Sequence, residues 1–177
     1  SFGVIYLGNN YIYTEVGKLI KRFKTRDPFE LLDCMNIVVG ETSNFKKLKG
    51  YCFMSCQTIY VMINSFLPDE EKRIVAAHEL GHIILHRKQL KLAPMKDDVL
   101  YTMTNSTEYE ANLFAADLLV EDEDVAEMSK NEDLDYFGFC SNLNVSPDLM
   151  SFKLYSLMKR GHAYHMPMEI QSNFLAK

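Results

Sequence analysis

Residues 69–87, with the sequence DEEKRIVAAHELGHIILHR, form the stretch that decides the fold, because their pattern indicates one long helix. Pro68 precedes the stretch, and acidic residues fill its first turn, where the helix dipole favours negative charge. The basic end at residues 86–88 suits a helix C-terminus for the same reason. The sequence therefore predicts a helix from about Asp69 to about Arg87.

His78, Glu79 and His82 lie in the middle of this helix in the pattern His-Glu-x-x-His. Residues four apart share a helix face with Cβ atoms about 5–6 Å apart, so both imidazoles can bind one zinc ion at about 2.0–2.1 Å. Glu79 projects about 100° further round the helix, where it can reach a zinc-bound water without being a ligand. The spacing therefore predicts a zinc site with His78 and His82 as ligands and Glu79 as the catalytic residue.

Two neighbours of the motif, Gly81 and His86, refine this prediction. Gly81 costs the helix about 1 kcal/mol relative to alanine, which favours a role in close backbone packing over a chance match on a core helix. His86 continues the four-residue spacing, but it lies about 12 Å along the axis from His78 at a rise of about 1.5 Å per residue. We therefore predict a helix-end or supporting role for His86 rather than metal ligation.

A second informative stretch, EYEANLFAADLL, occupies residues 108–119. Together with AHELGHIILH at residues 77–86, it resembles the ImmA/IrrE-like zinc metallopeptidases, and the resemblance extends over roughly residues 10–160. The family usually has a proline shortly after the double leucine, whereas this chain has Val120-Glu121-Asp122. The resemblance implies a zinc cofactor, metal-assisted peptide hydrolysis, and a third zinc ligand that is a glutamate in the second stretch.

Two glutamates, Glu108 and Glu110, could carry over this third ligand. We predict Glu108, because Asn112 lies four residues on and shares its helix face, similar to the Glu-x-x-x-Asp pair by which gluzincins support a ligand histidine. Glu110 has another explanation in a capping box with Thr107, but a box of Asn105 with Glu108 would reverse the assignment. Glu110 therefore remains an alternative ligand at this point.

The remaining segments predict an α+β fold, with a small antiparallel sheet packed on a helical core that carries the His-Glu-x-x-His helix, followed by C-terminal helices. The predicted helices are 14–24, 28–34, 69–87, 107–120, 132–143 and 146–161, and the predicted strands are 36–39, 51–54 and 58–63, the last two as a hairpin. No linker interrupts the chain, so residues 1–177 are expected to form a single domain. Its expected parts are the N-terminal helix and sheet at about 10–65, the zinc-site helices at about 69–120 and the C-terminal helices at about 121–161.

Composition and charge narrow the function classes. With a net charge of −5, the sequence lacks the basic surface that nucleic-acid binders typically have, so no direct contact with nucleic acid is expected. The acidic run at residues 121–124 indicates a solvated helix face or loop. No apolar stretch is long enough to span a membrane, and residues 1–8 lack the basic segment of a signal peptide. The four cysteines form no Cys-x-x-Cys pair, which favours buried free thiols in a reducing compartment. We therefore expect a cytoplasmic protein with no membrane partner.

The family resemblance also implies a biological role. Proteins of this kind often cleave a partner transcriptional repressor in bacteria, phages or mobile elements, so we expect a zinc-dependent endopeptidase acting on a regulatory protein. Its peptide substrate is expected to bind as an added strand at the edge of residues 58–63. One alternative is a zinc-containing sensor or interaction module that does not cut, against which Glu79 speaks. Another is a helix-turn-helix DNA reader around residues 144–146, against which the negative charge speaks.

Overall fold

The computed structural model describes residues 8–92, 105–131 and 133–164. In chain order its elements are α1 (Gly8–Phe23), α2 (Pro28–Cys34), β1 (Val38–Thr42), β2 (Gly50–Ser55), β3 (Thr58–Asn64), α3 (Asp69–Leu85), α4 (Arg87–Leu92), α5 (Asn105–Leu119), α6 (Asp122–Met128), α7 (Tyr136–Asn142) and α8 (Pro147–Lys159). The predicted α+β class is confirmed. None of the described helices combines the length and the apolar character needed to cross a membrane.

The three strands form a mixed sheet with the order β1–β3–β2. β2 and β3 pair antiparallel as the predicted hairpin, and the two turn residues, Cys56 and Gln57, have φ angles of 46° and 65°. Positive φ at both central residues is the geometry that matches the twist of the flanking strands. β1 pairs parallel with β3, so the sheet is mixed rather than antiparallel. A parallel pair needs a long connection instead of a tight turn, and no local sequence signal marks it.

Helix α3 is the element that positions the candidate site. The sheet and helix α5 pack against it, and every residue from Val75 to Ile83 is buried. Gly81 faces α5 so closely that a Cβ built on it would lie 3.1 Å from Phe114 Cβ and 3.2 Å from Ala111 Cα. The close helix approach expected at Gly81 is therefore present, and it holds the two helices that carry the predicted ligands together.

Replacing Gly81 with alanine is expected to destabilise the protein. Overpacking of this kind costs about 1–3 kcal/mol, and the α5 backbone at Ala111 cannot swing aside as a flexible side chain could. That cost should exceed the gain in helix propensity of about 1 kcal/mol. The matched control is Gly17→Ala in α1, where a Cβ meets nothing within 4 Å and the same gain should appear alone. Urea unfolding measures both, and equal stabilisation by the two variants would contradict the close contact.

A buried ion cluster ties α5 and α6 to Lys153 in the middle of α8 and to Arg160 just after it. Lys153, whose side chain is 1% exposed, places Nζ 3.1 Å from Asp117 Oδ1 and 2.6 Å from Asp122 Oδ1. Arg160 donates to both Asp122 oxygens at 2.6 and 2.9 Å. Burial raises the pKa of the Asp122 carboxyl, but hydrogen bonds from Arg160 and Lys153 outweigh burial and hold this pKa well below its usual range. Asp122 in the acidic run is therefore a structural ion-pair partner and not a solvated charge.

Replacing Asp122 with asparagine is expected to lower the free energy of unfolding at neutral pH by about 1.5–3 kcal/mol, the usual contribution of hydrogen bonds to a charged group. A carboxyl with a depressed folded-state pKa adds stability above its unfolded pKa of about 3.9, and this stability is lost as pH falls through the folded value. The difference from wild type should therefore be full at neutral pH and shrink below about pH 4. Thermal unfolding across this range measures it, with Asp124→Asn on the exposed side of α6 as the control. A difference that does not change with pH would contradict the depressed pKa.

The four cysteines are free, but two of them lie at the surface rather than in the core. Cys52 and Cys140 are buried as expected, whereas Cys34 and Cys56 are exposed. Cys34 is the last residue of α2, and Cys56 occupies the hairpin turn, where its side chain has no core to face. The prediction of buried thiols is therefore right for two cysteines and wrong for two.

Candidate metal centre

Three side chains from two helices meet at one point. Helix α3 contributes His78 and His82, whose Nε2 atoms are 3.0 Å apart, and α5 contributes Glu108. The Glu108 oxygens lie 3.2 Å from His78 Nε2 and 3.3 Å from His82 Nε2. Both histidines are buried and Glu108 is half-buried. The structure thus brings together the three residues that were predicted as metal ligands.

The spacing and chemistry of these donors fit a zinc ion. A tetrahedral ion with bonds of about 2.0–2.1 Å separates its ligand atoms by roughly 3.3–3.4 Å. The two Nε2 atoms are 3.0 Å apart, and each lies 3.2–3.3 Å from one of the two Glu108 oxygens, Oε2 for His78 and Oε1 for His82. Two imidazole nitrogens and a carboxylate oxygen form a donor set that zinc accepts, and three protein ligands leave the fourth position open. Among the described residues, these three side chains are the one group of His, Cys, Asp or Glu close enough to hold a metal ion.

Asn112 holds His78 in the orientation that metal binding needs. It lies one turn after Glu108 on α5, and its Oδ1 accepts a hydrogen bond from His78 Nδ1 at 2.8 Å. An amide oxygen can only accept, so Nδ1 carries the hydrogen, and Nε2 of the neutral ring keeps a free lone pair. The support of a ligand histidine that was predicted for Asn112 is therefore present in the geometry.

The surroundings of the cluster favour a neutral His82 and an ionised Glu108, the protonation states in which both side chains can bind a cation. Burial lowers the pKa of His82 to about 4. Burial also acts to raise the pKa of Glu108, but its contacts with the His78 and His82 rings outweigh burial and hold this pKa well below the usual range. For His78, burial lowers the pKa, yet the hydrogen bond to Glu108 and the nearby carboxylates raise it more. A bound cation would therefore compete with a proton chiefly at His78.

Glu79 is buried beside the cluster but does not belong to it. Burial raises the pKa of its carboxyl to about 6, while the charge of His78 and a hydrogen bond with the Cys52 thiol act in the opposite direction. Gly50 of β2 also lies close: a Cβ built on it would be 3.7 Å from Glu79 Oε1 and 2.5 Å from Val75 Cγ1. A carboxylate with a pKa near neutrality, next to three potential metal ligands, suits general-base work.

Glu110, the alternative third ligand, points to a different partner. Its Oε2 accepts a hydrogen bond from His86 Nε2 at 2.8 Å, and its side chain is 47% exposed. His86 caps the end of α3, and its Nδ1 lies 3.1 Å from His82 Nδ1. The geometry therefore favours Glu108 at the donor cluster and gives His86 a supporting position behind His82.

Two residues near Glu79, Cys52 and Gly50, were not recognised from the sequence as part of this region. Both lie on β2 two residues apart, so they face the same side of the sheet. The available signal was Gly50, because a glycine inside a strand often marks a place where another side chain or backbone approaches closely.

Comparison with known proteins agrees with this geometry. Residues 33–155, which include all four predicted site residues, match the family model Peptidase_M78, described as the IrrE N-terminal-like domain. The chain is also 35% identical over 121 residues to "Uncharacterized immunity region protein 2" of Bacillus phage phi105, a match that covers 68% of this chain and 75% of the phage protein. The chain therefore belongs to the Peptidase_M78 family of proteins with an IrrE N-terminal-like domain.

Proposed function

We propose that the chain is a zinc-dependent endopeptidase that cleaves a partner regulatory protein, such as the transcriptional repressor of a mobile element or stress response. The observation that supports this most strongly is the buried Glu79 next to the cluster of His78, His82 and Glu108. Membership of a peptidase family supports the same class of reaction. A purely structural metal site would need four ligands and no general base.

The proposed mechanism assigns a separate task to each residue. His78, His82 and Glu108 would hold the zinc, which supplies a Lewis acid for the water and for the scissile carbonyl. Glu79 takes the proton that the attacking water loses as its oxygen bonds to the carbonyl carbon. As the C–N bond breaks, Glu79 passes this proton to the leaving amine, so the same carboxylate first accepts the proton and then releases it.

The peptide substrate is proposed to bind along the outer edge of β2. The expectation that residues 58–63 offer this edge was wrong, because β3 is the central strand and pairs on both sides. Within the described ranges, β2 pairs with β3 alone, and its Cys52 interacts with Glu79. An extended peptide beside β2 would therefore run close to the proposed general base, with main-chain hydrogen bonds supplying affinity.

The choice of a regulatory protein as substrate has two supports. The phage relative bears the name of an immunity region protein. The net charge of −5 is also complementary to a basic DNA-binding partner, and complementary charge favours rapid and selective encounter.

A cleavage assay tests the proposed function. The purified zinc-loaded protein is incubated in turn with candidate repressors, chosen from the DNA-binding proteins encoded near its gene, and intact-mass analysis identifies any fragments. We expect fragments that stop forming when a chelator removes zinc and form again when zinc is restored, while an unrelated DNA-binding protein of similar charge stays intact. Binding of the repressor without fragments would contradict peptidase activity and favour the alternative of a sensor or interaction module that does not cut.

A further inference from the structure

A chain of three side chains runs from the metal cluster to the protein surface. His82 Nδ1 lies 3.1 Å from His86 Nδ1, and His86 Nε2 lies 2.8 Å from Glu110 Oε2. His82 and His86 are each 3% exposed, so water has little access to the link between them. The Glu110 side chain is 47% exposed and forms the outer end of the chain.

The direction of the hydrogen bonds in this chain is set from its outer end. The Glu110 carboxylate can only accept, so His86 Nε2 carries the hydrogen and Nδ1 of the neutral His86 ring must accept. His82 Nδ1 therefore donates to His86, and this leaves His82 Nε2 with a free lone pair that faces the cluster. The result is the one neutral form of His82 in which Nε2 can bind a metal.

When no metal is bound, Glu108 and Glu110 favour opposite directions for the hydrogen bond between His82 and His86. Glu108 Oε1 lies 3.3 Å from His82 Nε2 and would accept a hydrogen from it. In that arrangement His86 Nδ1 would donate to His82, and the bare His86 Nε2 would face the Glu110 carboxylate with no hydrogen between them. Glu110 therefore disfavours the form of His82 that cannot bind a cation.

We propose that His86 and Glu110 are positioning residues that hold His82 in its metal-binding tautomer. This inference rests on the proposed metal site of His78, His82 and Glu108. Hydrogen-bond partners of ligand histidines typically change metal affinity by about 10–100-fold, and a second imidazole fills that place for His82. The break between α3 and α4 at His86 also fits this role, because the Nε2 hydrogen bond to α5 fixes the ring behind His82.

The test compares zinc dissociation constants, measured by chelator competition, for the wild type and three variants. His86→Leu removes both links, whereas His86→Asn keeps an acceptor, Oδ1, at the same number of bonds from Cβ as Nδ1. We expect zinc affinity to fall by about 10–100-fold in His86→Leu and to recover for the most part in His86→Asn. Glu110→Ala should weaken zinc by about tenfold or less, because water can replace the carboxylate at this exposed end.

A second measurement does not depend on the variants. Long-range proton–nitrogen NMR of the zinc-loaded wild type should find the ring hydrogen of His82 on Nδ1 and that of His86 on Nε2. A His86 ring protonated at Nδ1 would overturn the inference. Equal zinc affinity in wild type and His86→Leu, or equal losses in the leucine and asparagine variants, would also overturn it. If the wild type itself binds no zinc, the proposed metal site is contradicted, and the role of His86 and Glu110 is contradicted with it.

Discussion

Replacing Glu79 with glutamine is expected to slow proteolysis severely while zinc binding and the fold are retained. Glutamine has nearly the same size as glutamate but cannot take a proton from water, and loss of a general base slows a reaction by about 10²–10⁴-fold. The side chain is 6% exposed and is not one of the three clustered donors, so the change removes no potential ligand. Single-turnover cleavage of the repressor gives the rate, metal analysis gives the zinc content, and thermal unfolding reports the fold.

The matched control for this variant is Glu71→Gln on the same helix. Glu71 lies eight residues before Glu79 and pairs with Lys49 at 3.4 Å, with 46% of its side chain exposed. Its loss should leave the cleavage rate unchanged, since surface ion pairs contribute only about 0–1 kcal/mol to stability. Wild-type cleavage by Glu79→Gln with full zinc content would rule out Glu79 as the general base.

Replacing Glu108 with alanine is expected to weaken zinc binding by more than about 100-fold, because even the loss of an indirect partner costs about 10–100-fold. Proteolysis should fall in parallel at limiting zinc. The metal-free protein should remain folded, since Glu108 lies near the start of α5, whose buried residues anchor the helix to the core. Chelator competition measures the affinity, and circular dichroism with thermal unfolding checks the metal-free state.

The control variant is Glu110→Gln, two residues further along the same helix. Glutamine keeps an oxygen that can accept from His86, so zinc affinity should stay within about tenfold of wild type. The reverse order, with Glu110→Gln losing zinc and Glu108→Ala retaining it, would identify Glu110 as the ligand and contradict the site as described.

The sequence was most informative where the chemistry depends on one helix. Residues four apart on α3 and on α5 share a face whatever surrounds them, which is why the clusters of His78 with His82 and of Glu108 with Asn112 could be predicted from spacing. Spacing alone could not choose between Glu108 and Glu110, because two capping boxes are possible at the start of α5. The choice needed the structure. α5 begins at Asn105, so Thr107 lies inside the helix, and the partner of Glu110 is His86 on α3.

Pairings between distant segments were much less predictable. The hairpin of β2 and β3 carries local signals, but the parallel alignment of β1 depends on which sheet edge the chain reaches after α2. The same limit applies to Lys153, which looks like a surface residue in the sequence yet is 1% exposed and paired with Asp117, 36 residues away. Its partner becomes visible only when α5 and α8 pack together.

The most direct test of the metal centre is a crystal structure of the zinc-loaded protein with anomalous diffraction recorded at the zinc absorption edge. We expect one zinc ion bound by Nε2 of His78, Nε2 of His82 and the Glu108 carboxylate, with Glu79 facing the open fourth position and Glu110 still bound to His86. A zinc ion held by Glu110, an ion at another place in the chain, or a fourth protein ligand that closes the site would contradict the proposed peptidase centre.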